Sequence, residues 1–115
     1  MRVGIDSVEI ERIEKSLGIK GFCERVFSAE ELGFLKRTES FAANFAAKEA
    51  FSKAIGTGLR GFSLNEISIL RDELGAPYLK LTGNASDAAK GLSFTVSLTH
   101  TRTTATAIVI ATEDR

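Results

Sequence analysis

Two acids and a lysine are the residues of this chain whose types and spacing could do chemistry. Asp6 ends the short apolar run Val3-Gly4-Ile5, and Glu49 and Lys53 stand four apart in the apolar stretch from Asn44 to Gly58. Ionised groups among Ala, Phe and Ile side chains are costly unless something compensates them. At i and i+4 of a helix, Glu49 and Lys53 project from one face, with Phe45 in the same row one turn earlier. Magnesium binds through one or two carboxylates and completes its octahedron with water and phosphate oxygens. Two acids from separate elements therefore suffice for it when a phosphorylated ligand supplies the rest. Lys53 could then neutralise phosphate charge as a flexible point cation. Gly56-Thr57-Gly58 would end the helix and leave backbone able to approach a ligand closely. The pattern suggests a divalent-metal and phosphate site.

Each feature also has a plainer reading. Asp is a favoured helix N-cap, and from its position alone Asp6 reads better as the cap of the helix that follows. Glu49 and Lys53 could be an ordinary helical ion pair, and the residues alone do not choose. Gly-x-Gly is also a simple helix C-cap. His100, the only histidine, sits in Ser97-Leu98-Thr99-His100-Thr101. It either bonds to backbone in a turn or contacts a phosphate or adenine at the mouth of a sheet. Gly75-Ala76-Pro77 is mostly turn chemistry, and Arg12, Lys15, Lys20, Arg25, Lys36 and Arg37 read as solvated helix faces. Nothing resembles a Walker loop, a dinucleotide fingerprint or a Ser-His-Asp set.

The elements that must position these groups follow from periodicity. Residues 2–5 read as a strand ending at Asp6, and 8–17 as a helix with Ile10, Ile13 and Leu17 on one stripe and Gly18 as its stop. Ser28 and Glu31 make a capping box, with Phe27 and Leu32 as its hydrophobic staple, for a helix over about 29–37. Ser40 caps the next helix, which runs to about Ile55. Being apolar nearly all round, it should be central. Beyond it the period changes to two. Ile67 and Ile69 alternate with polar residues, Asp72 to Gly75 turns, and Tyr78 to Leu81 alternates again. A short helix over 84–90 is stopped by Gly91. Phe94, Val96 and Leu98 share a strand face, His100 to Thr103 turns, and 104–112 is the last strand. Helices first and antiparallel strands later make an α+β domain.

The 115 residues make one domain, 1–115, small enough to gain from oligomerisation. With 15 basic and 15 acidic side chains there is no net field to draw in nucleic acid or membrane, and absent Trp further weakens a single-stranded nucleic-acid reading. The single cysteine, Cys23, excludes an intrachain disulfide and a multi-cysteine zinc site, and beside Phe22 it reads as a buried structural thiol. No apolar run approaches a membrane span and no signal peptide opens the chain, so a cytoplasmic protein is expected.

Taken in order, Gly4-Ile5-Asp6, Glu9-Ile10-Glu11-Arg12-Ile13, Phe45-Ala46-Ala47-Lys48-Glu49-Ala50, Ser52-Lys53-Ala54 and Gly56-Thr57-Gly58 resemble the holo-acyl-carrier-protein synthase family. Glu66-Ile67-Ser68-Ile69, Gly75-Ala76-Pro77-Tyr78 and Ser97-Leu98-Thr99-His100-Thr101 continue the match over nearly the whole chain. The resemblance implies a small α+β enzyme of the 4′-phosphopantetheinyl transferase fold, an antiparallel sheet packed with helices around one long central helix. It implies a homotrimer with active sites between subunits. Its reaction would move 4′-phosphopantetheine from coenzyme A to a serine of apo-acyl carrier protein, releasing adenosine 3′,5′-bisphosphate. By the same resemblance Asp6 and Glu49 would hold magnesium, and Lys53 would stabilise charge on the transferring group. Either Glu49 or a metal-bound water would take the serine proton. Lys53, Gly56, Pro77, His100 and Thr101 would surround the nucleotide and its phosphates, while Arg12 and Arg25 would face the acidic carrier protein. The alternative is a catalytically silent coenzyme-A-binding or scaffold protein of the same fold.

Three residue patterns depart from the family. Asn44 stands where an arginine usually precedes Phe-Ala-Ala-Lys-Glu, which removes a charged contact to a coenzyme A phosphate; Lys48, Lys36 and Arg37 are the candidates to replace it. Ser7 replaces an apolar residue, and Lys15 to Gly21 is less basic than in many relatives.

Overall fold

The computed structural model describes residues 1–58 and 60–114; Leu59 and Arg115 of the expected single domain lie outside the described residues. The elements run β1 (Arg2–Glu9), α1 (Ile10–Leu17), α2 (Phe22–Val26), α3 (Ala29–Phe34) and α4 (Thr38–Ile55). After a 3-10 turn at Leu64–Glu66 come β2 (Ile67–Arg71), β3 (Pro77–Leu81), α5 (Gly83–Ala88), β4 (Leu92–His100) and β5 (Thr104–Glu113). Three strands form an antiparallel sheet in the order β1-β5-β4, and β2 and β3 form a separate antiparallel ribbon. The class is α+β, as the change of period implies.

The long helix α4 packs against β1, β5 and β4. Small side chains allow that close approach: Ala46, Ala47, Ala50 and Ala54 on the helix and Ala105, Ala107 and Ala111 on β5 are all buried. Gly4 carries the approach furthest, because a Cβ there would lie 1.9 Å from the Ala50 carbonyl oxygen. Phe51 fills the remaining space between Phe62 and Phe94, with ring centroids at 5.7 and 5.1 Å. The expected central, nearly all-buried helix is therefore present.

Three local expectations need correction. First, β1 does not stop at Asp6. It pairs with β5 from Arg2↔Ala111 to Glu9↔Thr104, so Asp6 sits opposite Ala107 inside the ladder and caps no helix. The long-range partner, which local sequence does not reveal, extends the strand. Second, α4 starts at Thr38, with Arg37 at the cap position and Ser40 already inside the first turn. Third, Cys23 lies half-buried in α2, whose five residues are too few for a readable period. Burial and neighbouring Glu24 raise its pKa, which favours the thiol over the thiolate. The capping box is as expected: Glu31 N donates to Ser28 Oγ at 3.2 Å and Ser28 N to Glu31 Oε1 at 3.0 Å.

Candidate active site

Alternation along β1 turns Gly4, Asp6 and Val8 inward, toward α4, and Val3, Ile5 and Ser7 outward. Because Gly4 lets the helix touch the strand, Asp6 comes against the Glu49–Lys53 row. Lys53 Nζ donates to Asp6 Oδ1 and to the Ile5 carbonyl, both at 3.0 Å. Lys53 thus pairs across elements with Asp6, and no Glu49–Lys53 ion pair forms among the described residues. Glu49 is half-buried, and its pKa is raised, first by burial and then by the charge of Asp6, with Lys53 and Arg12 opposing. Its carboxylate accepts no hydrogen bond from a described residue; only its backbone carbonyl does, from Ser52 Oγ at 2.7 Å. The row is completed by Arg12 of α1, whose guanidinium stands 5.9 Å from the Phe45 ring centroid. Asp6, Glu49, Lys53 and Arg12 thus form one exposed-to-half-buried cluster. Arg25, on α2, lies outside it.

Gly56 ends α4 in the left-handed conformation (φ 80°), where an L side chain is disfavoured. With Thr57 and Gly58 it lines an open cleft of about 740 Å³ together with Arg60 and Gly61. Added Cβ atoms at Gly56 and Gly58 would meet nothing, so backbone conformation is the local demand there.

Pro77 and His100 share a second cavity, of about 280 Å³, with Ser97 and Thr99 of β4 and with Glu39, Ser40 and Ala43 of α4. His100 Nδ1 lies 3.1 Å from the Thr101 carbonyl. Thr101 itself organises the β4–β5 turn, its Oγ1 accepting from the backbone N–H of Thr104 at 3.1 Å and of Thr103 at 3.3 Å, and lies beside the cavity without lining it.

The most buried charges lie elsewhere. Lys48 and Glu31 are fully buried and paired at 2.6 Å, and Lys48 also donates to the carbonyls of Leu64, at 3.1 Å, and of Ile67. Glu31 Oε2 accepts from Asn44 Nδ2 at 2.8 Å and from Ile69 N at 3.2 Å. Burial lowers the Lys48 pKa and Glu31 counters it. Lys48 is therefore a structural cation that welds α4 to α3 and β2, and it cannot stand in for a surface arginine at a phosphate. The residue that sequence reasoning missed is Arg71, whose Nη2 donates to Asn44 Oδ1 at 2.8 Å and which lines the Pro77–His100 cavity. Only its position just before the Asp72 to Gly75 turn hinted at it.

A family model described as the 4′-phosphopantetheinyl transferase superfamily matches residues 2–109. The chain belongs to that superfamily. It is 49% identical over 116 residues, 94% of each chain, to a holo-[acyl-carrier-protein] synthase of Treponema denticola. Among solved structures it is similar to the Helicobacter pylori holo-[acyl-carrier-protein] synthase in complex with coenzyme A, with a TM-score of 0.87 and 33% identity over 96% of this chain and 99% of that one. It is also similar to a Bacillus anthracis holo-(acyl-carrier-protein) synthase in complex with CoA (3′,5′-ADP), with a TM-score of 0.82 and 35% identity over 99% and 96% of the two chains.

Proposed function

We propose that this protein transfers 4′-phosphopantetheine from coenzyme A to a serine hydroxyl of an apo-acyl carrier protein, releasing adenosine 3′,5′-bisphosphate. The observation that carries this reading is the convergence of Asp6, Glu49 and Lys53 from two elements far apart in sequence, in a chain of this superfamily. Phosphoryl transfer needs positioning and charge neutralisation more than covalent help. The serine oxygen bonds to the β-phosphorus of coenzyme A, the bond to the bridging oxygen breaks, and the bisphosphate leaves. Lys53 neutralises charge on the transferring group, and the Glu49 carboxylate is available to take the serine proton.

The donor set fits magnesium. Two like-charged carboxylates close enough to raise the Glu49 pKa are hard oxygen ligands whose repulsion a divalent cation would relieve. Asp6 and Glu49 would hold it, and once bound it would neutralise the diphosphate. Exposed Arg12 and Arg25 are the cations offered to an acidic carrier protein. Pro77 and His100, with Thr101 beside them, would take the nucleotide in one cavity, and Gly56, at the separate cleft beyond the other end of α4, would reach it only from a neighbouring copy.

We also propose a homotrimer with shared sites, working in the cytoplasm. The outer face of the sheet supports self-association: Val3 and Ile5, 50% and 57% exposed, sit beside Ile110 and Ile108 of β5 and form an uncovered apolar strip. Along α4, Ser40 at one cavity and Glu49 in the acidic cluster are nine residues, or about 13 Å, apart. A neighbouring copy could bring the two sites closer together than a single chain does. No helix among the described residues is long and apolar enough to cross a membrane. Mass spectrometry of an apo-acyl carrier protein incubated with coenzyme A, magnesium and the protein tests the reading. Appearance of the phosphopantetheinylated serine supports it; binding of coenzyme A without that product would mark a silent coenzyme-A-binding protein instead.

A further inference from the structure

One half-buried guanidinium is left unused by that chemistry. Arg71, at the end of β2, is held from three directions. Its Nη1 donates to the carbonyls of Ile69 at 3.1 Å and Leu70 at 3.2 Å, its Nη2 donates to Asn44 Oδ1 at 2.8 Å, and its centre lies 5.6 Å from the Phe34 ring centroid. Arginine has five N–H groups, and these bonds use three. Nε–H and one Nη2–H have no acceptor among the described residues. Since no buried side-chain nitrogen lacks a partner, Nε must meet solvent. The side chain lines the cavity that holds Pro77 and His100. A preorganised guanidinium beside this cavity, with two unclaimed N–H donors of which Nε reaches solvent, is suited to a phosphate, which presents several oxygens to such a fork.

Other cations nearby are less suited. Lys36 and Arg37 line an adjoining cavity on the other side of Arg71, are exposed, and Arg37 leans to Glu39 at 3.9 Å. Lys48 is sealed in the core. Glu39 also lines the Pro77–His100 cavity, so an anion settles there only against a firmly held cation. Asn44 supplies that firmness: its amide nitrogen is anchored on Glu31 and on the Ile69 carbonyl at 2.9 Å, which turns its oxygen toward Arg71.

Coenzyme A carries three phosphates. Two form the diphosphate assigned above to the Asp6–Glu49–Lys53 cluster, which shares no residue with the Arg71 cavity. The third is the 3′-phosphate of the ribose. We infer that Arg71, positioned by Asn44, binds this 3′-phosphate and makes the protein prefer coenzyme A to 3′-dephospho-coenzyme A. The inference rests on the coenzyme A reading and goes beyond it by naming the specificity residue.

Isothermal titration of the intact protein with both ligands tests it. Charge-assisted hydrogen bonds of this kind lead us to expect an affinity for coenzyme A about 10- to 100-fold above that for the dephospho form. Arg71→Gln should lower coenzyme A affinity by that factor and leave dephospho-coenzyme A affinity unchanged, which also shows that the variant is folded. Asn44→Ala should narrow the preference by less, and Arg71→Lys, a milder change should Arg71→Gln not fold, should retain only part of it. A wild-type preference kept by Arg71→Gln or Arg71→Lys overturns the inference, as does wild-type protein that binds the two ligands equally; in both cases the transferase reading stands. Failure of wild-type protein to bind either ligand would overturn both.

Discussion

Lys48→Met removes the cation that is salt-bridged to a fully buried carboxylate, Glu31. In the variant Glu31 keeps the N–H groups of Ser28 and Ile69 and the Asn44 amide, but no formal positive charge contacts it, and the Leu64 and Ile67 carbonyls lose their shared donor. Breaking a buried pair from one side costs about 3–5 kcal/mol. A domain of this length is stable by roughly 6–17 kcal/mol, so the loss is a large fraction of the total. At this size each kcal/mol moves the melting temperature by roughly 3–5 °C, giving an expected drop of roughly 10–25 °C. Removing both charges, as in Glu31→Gln with Lys48→Met, should recover about 1–3 kcal/mol relative to Lys48→Met alone, the usual size of a direct coupling. Thermal and urea unfolding followed by circular dichroism measure both quantities. Coenzyme A affinity of the folded single variant should match wild type, because Lys48 lines neither the Arg71 cavity nor the Gly56 cleft. A single variant within about 1 kcal/mol of wild type, or a double variant no more stable than the single, would refute the assignment of Lys48 as a structural cation.

Two further outcomes follow from particular contacts. Gly4→Ala places a methyl group 1.9 Å from the Ala50 carbonyl, so α4 must move off β1; urea unfolding should show a loss of about 3 kcal/mol or more, and transfer activity should fall because Asp6 and Lys53 part. Glu66 accepts backbone hydrogen bonds from Ser63 N at 2.9 Å and Asn84 N at 3.1 Å, which hold its pKa below the ordinary value of 4.5. Its contribution is complete above pH 4.5 and is lost as pH falls through the lower folded value, so Glu66→Gln should flatten the acid limb of a stability–pH curve while wild type keeps it. Equal slopes in the two proteins would show that the caps do not matter.

Much of the fold could be read locally because its signals are local. The Ser28–Glu31 box, the stretch into Gly56, the turn at Asp72 to Gly75 and the alternation of β4 each depend on residues a few positions apart. Asp6 could not be read that way. A strand-terminal acid and an N-cap look alike until the pairing with β5, a hundred residues on, carries the strand through to Glu9. Nor could the helix pattern separate Lys48 from its neighbour Glu49. A helix buried nearly all round carries no polar stripe, so which charge meets the core and which meets β1 is decided by α3, β1 and β2. Arg71 was hidden for the same reason, because its role depends on Asn44, 27 positions earlier, and on a cavity made by three separate segments.

The most direct test of the account compares Asp6→Ala and Glu49→Gln with wild type in the magnesium-supported transfer of phosphopantetheine to apo-acyl carrier protein. Both variants should melt close to wild type yet leave the carrier serine unmodified. Either variant turning over at the wild-type rate would mean that these two carboxylates do not perform the chemistry assigned to them.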